Sequence, residues 1–239
     1  MKYMGSKSRI AKDILPIILK NRTPAQWYVE PFAGGMNLID KVEGNRLAND
    51  SHYYLIEMWK ALVSGWVPEE ITKEKYYEVK ANKEKYPAYL VGWIGFNCSY
   101  SGKWFDSYAG TVNTKAGIER NYQSEAIRNV AKQTQFLSGV TFSNLNYLEL
   151  EIPSNSIIYC DPPYAGTKKY LDSIDYTAFW DWVRKMHKLG HDIFVSEYSA
   201  PEDFECIWSK KLTSSISARA GNQTATQSIE KLFKYNGGK

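Results

Sequence analysis

Cysteine is scarce, with only Cys98, Cys160 and Cys206 in 239 residues, far apart and without a CxxC or His–Cys spacing. That scarcity argues against a disulfide framework or a Cys/His zinc site and fits a reducing cytoplasm. Histidine is equally sparse (His52, His187 and His191), so no metal is expected. No apolar run approaches the ~18 residues of a membrane span, and the opening Met1-Lys2-Tyr3-Met4-Gly5-Ser6 does not read as a secretory leader. GxGxxG and the Walker Lys-Ser/Thr pair are both missing, so a phosphate-gripping loop is not indicated. Internal repeats are absent as well. These gaps together predict a soluble cytoplasmic protein with no membrane segment.

What is present is ordinary in amount and uneven in placement. Hydrophobic residues make up 44% and charged residues 23%, the composition of a globular chain. The formal net charge is only +4. Residues 1–56 carry 8 basic against 5 acidic groups, whereas 138–239 carry 11 against 12, so a polyanion would meet the front of the chain more readily than its end. Aromatic residues reach 15%, with 18 Tyr and 8 Trp. Such rings serve either a core or the stacking of bases.

Periodicity marks the elements. Residues 6–20 read as a helix with Ile10, Ile14, Leu15 and Ile18 on one side, kinked or restarted at Pro16. Trp27-Tyr28-Val29 reads as a short strand running into Glu30-Pro31-Phe32-Ala33-Gly34-Gly35, with a helical pattern over 36–42. A second strand, Arg46-Leu47-Ala48, ends in Asn49-Asp50 and leads into a helix carrying Tyr54, Leu55, Met58, Trp59 and Leu62. Over 65–137 the alternation stops. A charged helix capped by Thr72, an aromatic stretch over 89–105, a loop over 110–117 and an amphipathic helix over 124–137 predict a mainly helical insertion. Strands resume over 140–142, 156–160 and 192–196, with a helix over 177–189 stopped by Gly190 and a last antiparallel strand over 228–235. The predicted fold class is α/β, a mainly parallel sheet covered on both faces, with a core of 1–64 and 138–239 and an insertion of 65–137. Ligands in such sheets sit at the carboxyl ends of strands, where 30–35, 49–50 and 161–164 all fall.

Three segments carry chemistry. Gly34 and Gly35 follow a strand and let backbone approach a ligand, although a plain strand-to-helix turn reads equally well. Asp50 follows at roughly the spacing at which open α/β nucleoside sites place an acid on the ribose hydroxyls; capping the next helix is the ordinary alternative. Asp161-Pro162-Pro163-Tyr164 is the most informative. Its prolines fix φ and remove two N–H donors, leaving a rigid strand-end bracket with a carboxylate, carbonyls and an aromatic face. An exocyclic amine suits it: N–H groups donate to Asp161 and to the Pro162 carbonyl while Tyr164 stacks on the heterocycle.

With these motifs in this order, the chain resembles the Dam-type DNA adenine N6-methyltransferases. Lys2-Tyr3-Met4-Gly5-Ser6-Lys7 resembles the family's amino-terminal cofactor motif, Glu30 to Gly35 its glycine motif, Asn49-Asp50 its acidic motif and Asp161 to Tyr164 its catalytic motif. Gly95-Phe96-Asn97 through Phe105 resembles the stretch leading into a DNA-contacting hairpin, and residues 219–233 resemble the closing segment. Two departures stand out. The family turn is Phe-x-Gly-x-Gly, whereas Met36 stands here at the second glycine, and Asn146 stands where relatives often carry an acid.

The resemblance implies a Rossmann-like core that binds S-adenosylmethionine and needs no metal, with 65–137 as the target-recognition region. It implies cofactor contacts from Tyr3, Lys7, Glu30, Pro31, Phe32, Gly34, Asp50 and Asp161, and catalysis by Asp161, Pro162, Pro163 and Tyr164. Asn97, Lys103, Trp104, Lys115 and Arg120 are the expected contacts to double-stranded DNA. A monomer is expected, with any cognate restriction endonuclease acting separately. Three other readings stay open: an N4-cytosine methyltransferase, which uses the same amine chemistry, a methyltransferase of an RNA or protein-glutamine amine, against which the long insertion between motifs speaks, and a catalytically inactive nucleic-acid-binding relative. Cys160 beside the motif invites comparison with cytosine-C5 chemistry, but it reads more simply as a buried strand residue.

Overall fold

The structure, a computed structural model, describes residues 1–113, 117–163, 174–213 and 227–237. In chain order the elements are α1 (Ala11–Ile18), β1 (Tyr28–Glu30), β2 (Arg46–Asn49), α2 (Tyr53–Val63), α3 (Lys73–Ala81), α4 (Ala88–Asn97), β3 (Thr111–Asn113), β4 (Glu119–Asn121), α5 (Tyr122–Thr134), β5 (Val140–Ser143), β6 (Ile157–Cys160), α6 (Tyr176–Lys188), β7 (Asp192–Ser196), β8 (Phe204–Thr213) and β9 (Gln227–Tyr235). Seven strands form one sheet in the order β5–β2–β1–β6–β7–β9–β8. It is mainly parallel, the α/β class read from the sequence.

The chain divides into two compact units, Met1–Ala11 with Phe32–Leu150, and Lys12–Pro31 with Glu151–Lys239. Segment 65–137 lies wholly in the first. There β2 and β5 run parallel, from Arg46 opposite Val140 to Asn49 opposite Ser143. The helix at the heart of this unit is α4, whose Val91, Trp93, Ile94 and Phe96 are all buried. It crosses α2 at Gly92, where an added Cβ would run into the Tyr54 carbonyl and come within 2.9 Å of Met58 Cβ. Side-chain caps start the neighbouring helices. Thr72 accepts from Lys75 N at 3.2 Å, and Asn121 accepts from Gln123 N and Ser124 N at 3.0 Å each.

In the second unit β1, β6 and β7 are parallel neighbours, and β9 and then β8 add antiparallel strands. All four residues of β6 are buried, as a strand covered on both faces requires. Helix α6 buries Phe179, Trp180, Trp182, Val183 and Met186. Asp175 caps its start, accepting from Thr177 N at 2.9 Å and Ala178 N at 3.1 Å, and Gly190 follows its end at φ 90°.

Four local expectations need correction. The helix expected over 6–20 is instead a 3-10 turn, Lys7–Arg9, followed by α1, which contains Pro16. Residues 36–42 contain only a 3-10 turn, Ile39–Lys41. Gly34 at φ 47° and Met36 at φ 52° are left-handed, and no α-helix passes through such residues. The 110–117 loop contributes β3, which pairs antiparallel with β4, from Thr111 opposite Asn121 to Asn113 opposite Glu119. Its side chains are exposed, so no apolar alternation announces it. Strand β8 was not anticipated: its register shifts between Cys206 and Trp208, and that bulge breaks the period of two.

Candidate functional site

In the first unit the turn Phe32-Ala33-Gly34-Gly35-Met36 is fixed from several sides. Ala33 N donates to Asn49 O at 2.8 Å, and Met36 N closes the turn onto Ala33 O at 2.8 Å. Gly34 N donates to Asp50 Oδ2 at 2.9 Å, while Asp50 Oδ1 accepts from His52 N at 2.9 Å. Turn and acid, separate motifs in the sequence, are thus one hydrogen-bonded unit. From α2 the Trp59 indole donates to Gly34 O at 3.2 Å, and from α5 Gln133 Nε2 donates to Gly35 O at 3.0 Å and Met36 O at 2.9 Å.

Tyr3 covers the turn. A Cβ on Gly34 would lie 2.7 Å from Tyr3 Cε1, and one on Gly35 would lie 2.6 Å from Tyr3 Cβ. Both glycines are therefore required by the close approach of that residue. Lys7 is buried, with its ammonium 3.4 Å from Gly5 O.

Asp50 is half-buried. Desolvation raises its pKa from the ordinary 3.8, against the opposing pull of the His52 and Gly34 N–H groups. The strand ends around it are laced together: Asn144 Nδ2 donates to Asp50 O at 2.7 Å, and Asn49 exchanges bonds with the Leu145 backbone at 3.0 and 2.9 Å. The Phe32 ring stands 5.2 Å from that of Tyr147. Asn146 accepts from Leu148 N at 3.0 Å, a local turn contact.

In the second unit, Glu30 closes β1 and Asp161-Pro162-Pro163 follows β6; Glu30, Pro31 and Pro162 are buried, and Asp161 and Pro163 half-buried. Tyr164, the last residue of the motif, lies outside the described residues, as do Lys115 and residues 219–226 of the closing segment. Behind the motif, Tyr159 and Ser196 share a hydrogen bond of 2.7 Å across β6 and β7. Burial, and then the proximity of Asp161, pushes both the Tyr159 phenol and the Cys160 thiol well up. A thiol held protonated in this way is a poor nucleophile, in keeping with Cys160 as a buried strand residue. The Tyr176 hydroxyl contacts the Pro163 carbonyl and stands 2.7 Å from Glu197 Oε2. Glu197 is 1% exposed and accepts from Tyr198 N at 2.6 Å.

The four expected DNA contacts that lie among the described residues are in the first unit, in different surroundings. Asn97 is 7% exposed, its amide beside the sulfurs of Met58 at 3.3 Å and Met1 at 3.7 Å, so it faces the interior. Lys103 pairs with Asp106. Trp104 sits among His52, Tyr54, Phe96 and Phe105. Arg120 bonds both oxygens of Glu125, at 2.5 and 2.8 Å, and lies over the Tyr122 ring; with Lys2 it draws the Glu125 carboxyl down to about 2.

Trp59 was read from the sequence only as an apolar position of its helix, and Gln133, Tyr147, Tyr176 and Glu197 were not read as site residues. Glu197 alone had a usable signal, since it follows the carboxyl end of a predicted parallel strand.

Residues 3–194 match the model of the D12 class N6 adenine-specific DNA methyltransferases. The chain belongs to that family. The match to this D12 class begins at Tyr3 and includes the glycine turn, Asp50 and the Asp161 motif. Among named relatives, the chain is 26% identical over 212 residues to the Type II methyltransferase M.FokI of Planomicrobium okeanokoites, covering 77% of this chain and 31% of that protein. It is 24% identical over 222 residues to the modification methylase StsI of Streptococcus sanguinis, covering 83% of this chain and 33% of that one. The chain thus spans about a third of the length of these two relatives. A solved tRNA (m1A58) methyltransferase, TrmI from Aquifex aeolicus, overlaps 94% of the chain and 68% of its own at 12% identity and a TM-score of 0.40. Among the described residues no helix is long and apolar enough to cross a membrane.

Proposed function

We propose that this chain transfers a methyl group from S-adenosylmethionine to N6 of an adenine flipped out of double-stranded DNA. The observation that carries the reading is Asp161-Pro162-Pro163 closing a buried parallel strand, in a chain that belongs to an N6-adenine-specific DNA methyltransferase family.

The residues of the first unit suit the cofactor. After two N–H bonds the Asp50 carboxylate keeps lone pairs for hydroxyl groups, and Phe32 and Tyr147 offer aromatic faces. S-adenosylmethionine supplies an electrophilic methyl group on a sulfonium. In this reading Asp50 accepts the ribose hydroxyls, Tyr3 and Lys7 close one side, and Glu30, Pro31, Phe32 and Gly34 line the methionine end, with Asp161 beside the sulfonium.

Adenine N6 is inside the duplex, so the base must be extruded at a cost of a few kcal/mol, of which stacking on Tyr164 returns about 1–3 kcal/mol. The N6 lone pair is conjugated with the ring and nucleophilically weak. Asp161 and the Pro162 carbonyl, by accepting its two N–H groups, favour a pyramidal nitrogen and stabilise its developing positive charge. Holding nitrogen and methyl in line supplies much of the remaining acceleration. Lys103, Trp104, Lys115 and Arg120 are the proposed DNA contacts, with Asn97 supporting them from inside. The protein would act in the cytoplasm as a monomer, separately from any cognate restriction endonuclease.

The test is incubation with methyl-labelled S-adenosylmethionine and unmethylated DNA, followed by digestion to nucleosides. Label in N6-methyladenosine is expected. Label in N4-methylcytosine would move the reading to the cytosine amine, and DNA binding without transfer would make the chain an inactive relative. Asp161→Ala is expected to lower transfer by at least about 100-fold with the melting temperature unchanged; undiminished turnover would overturn the mechanism.

A further inference from the structure

We infer that Tyr176 and Glu197 are positioning residues for the amine-gripping motif, holding the Pro163 carbonyl through one shared hydroxyl. The inference rests on the methyl-transfer reading above.

Three separate pieces of the second unit converge on that hydroxyl. Pro163 ends the described motif after β6, Tyr176 is the first residue of α6, and Glu197 follows the last residue of β7. The Tyr176 oxygen contacts the Pro163 carbonyl and Glu197 Oε2. Glu197 does not swing freely, because its other oxygen accepts from Tyr198 N at 2.6 Å and the side chain is 1% exposed. The Tyr159–Ser196 bond ties β6 to β7 just behind, so the two strand ends are linked twice. The ring of Tyr176 rests edge-on against Phe179, with centroids 6.2 Å apart, which fixes where its hydroxyl can be.

Ring closure already sets φ of Pro163, so ψ is the freedom that remains to its backbone. A hydrogen bond to the Pro163 carbonyl restrains that ψ. Shape alone does not call for this chemistry, because phenylalanine would fill the space of Tyr176. A carboxylate is costly to bury and is retained where its oxygens are bonded. Both the carbonyl and the carboxylate accept, while the phenol carries a single hydrogen. That hydrogen is shared, and the carboxylate anchors the phenol oxygen against the motif. Misplacement of a reacting group by about 1 Å can cost about 100-fold in rate, so a device that holds the motif acts on turnover more than on binding.

The experiment uses the full chain with labelled S-adenosylmethionine and unmethylated duplex DNA. Tyr176→Phe is expected to lower kcat about tenfold or more, with the cofactor Kd and the melting temperature close to wild type. Glu197→Gln keeps an oxygen for the phenol and is expected to stay within about threefold, whereas Glu197→Leu is expected to fall with Tyr176→Phe. A wild-type protein that transfers no methyl group would end the methyl-transfer reading and this inference with it. Wild-type transfer with an unchanged kcat in Tyr176→Phe would overturn this inference alone. If Tyr176→Phe does not fold, the Gln and Leu variants at 197 decide: unequal kcat in the expected order supports the link, and equal kcat overturns it.

Discussion

Asp50 commits both carboxylate oxygens to backbone N–H groups, those of Gly34 and His52, before any ligand arrives. Asparagine offers one oxygen and one NH2, so Asp50→Asn leaves one N–H facing a donor. We expect that variant to lose about 1–3 kcal/mol of stability at neutral pH and to bind S-adenosylmethionine about 10- to 100-fold more weakly, as read by urea melts and calorimetric titration. The pH dependence has a definite sign. Burial holds the Asp50 carboxyl above its ordinary 3.8. An acid raised in this way adds stability in full below 3.8 and loses it as pH climbs through the raised value. The stability of wild type relative to Asp50→Asn should therefore decline as pH rises from 3.8; a growing advantage for wild type would contradict this. Gly34 and Asp50 were each legible from motif and spacing, but their bond was not. As site residues, Trp59, Gln133 and Tyr176 were illegible for a related reason. Their hydrogen bonds go largely to carbonyls and hydroxyls brought near only by the fold, and no local pattern encodes such a partner.

At the scale of elements, the crossing of α2 and α4 depends on the missing side chain at Gly92. A methyl group there would strike the Tyr54 carbonyl, a backbone atom that cannot swing aside. Gly92→Ala should therefore cost about 1–3 kcal/mol despite the better helix propensity of alanine, a loss visible in the denaturation midpoint. A variant as stable as wild type would mean that the two helices part without cost. Strands β1, β2, β5, β6, β7 and β9 were legible because their apolar runs are bounded by turn residues. Strand β8 was hidden by its bulge, β3 by exposed side chains that carry no pattern, and β4 by three polar residues, Glu119, Arg120 and Asn121, with no apolar alternation. The 36–42 segment misled in the opposite direction. Leu38, Ile39 and Val42 are all buried, but turns rather than a helix put them there.

For the molecule as a whole, alternation of strands and helices was enough to give a mainly parallel α/β sheet. The two-unit division of the chain had no signature in the sequence. It joins residues 1–11 to 32–150 and 12–31 to 151–239, and such contacts are non-local. A formal charge of +4 is small for a polyanion binder, and of the four proposed DNA contacts Lys103 and Arg120 already hold acidic partners. Non-specific duplex affinity should therefore be modest and fall about 10- to 100-fold between about 50 and 200 mM salt, measured by fluorescence anisotropy. Affinity independent of salt would exclude phosphate contacts as its source.

Met36, where the family turn has glycine, combines a left-handed φ of 52° with complete burial. Met36→Gly would relieve about 1–2 kcal/mol of backbone strain but would empty the space of a buried side chain, at about 2–5 kcal/mol. On this balance Met36→Gly is uphill. The side chain that strains the turn also fills the core behind it, so glycine becomes acceptable at 36 only if the surrounding core changes with it.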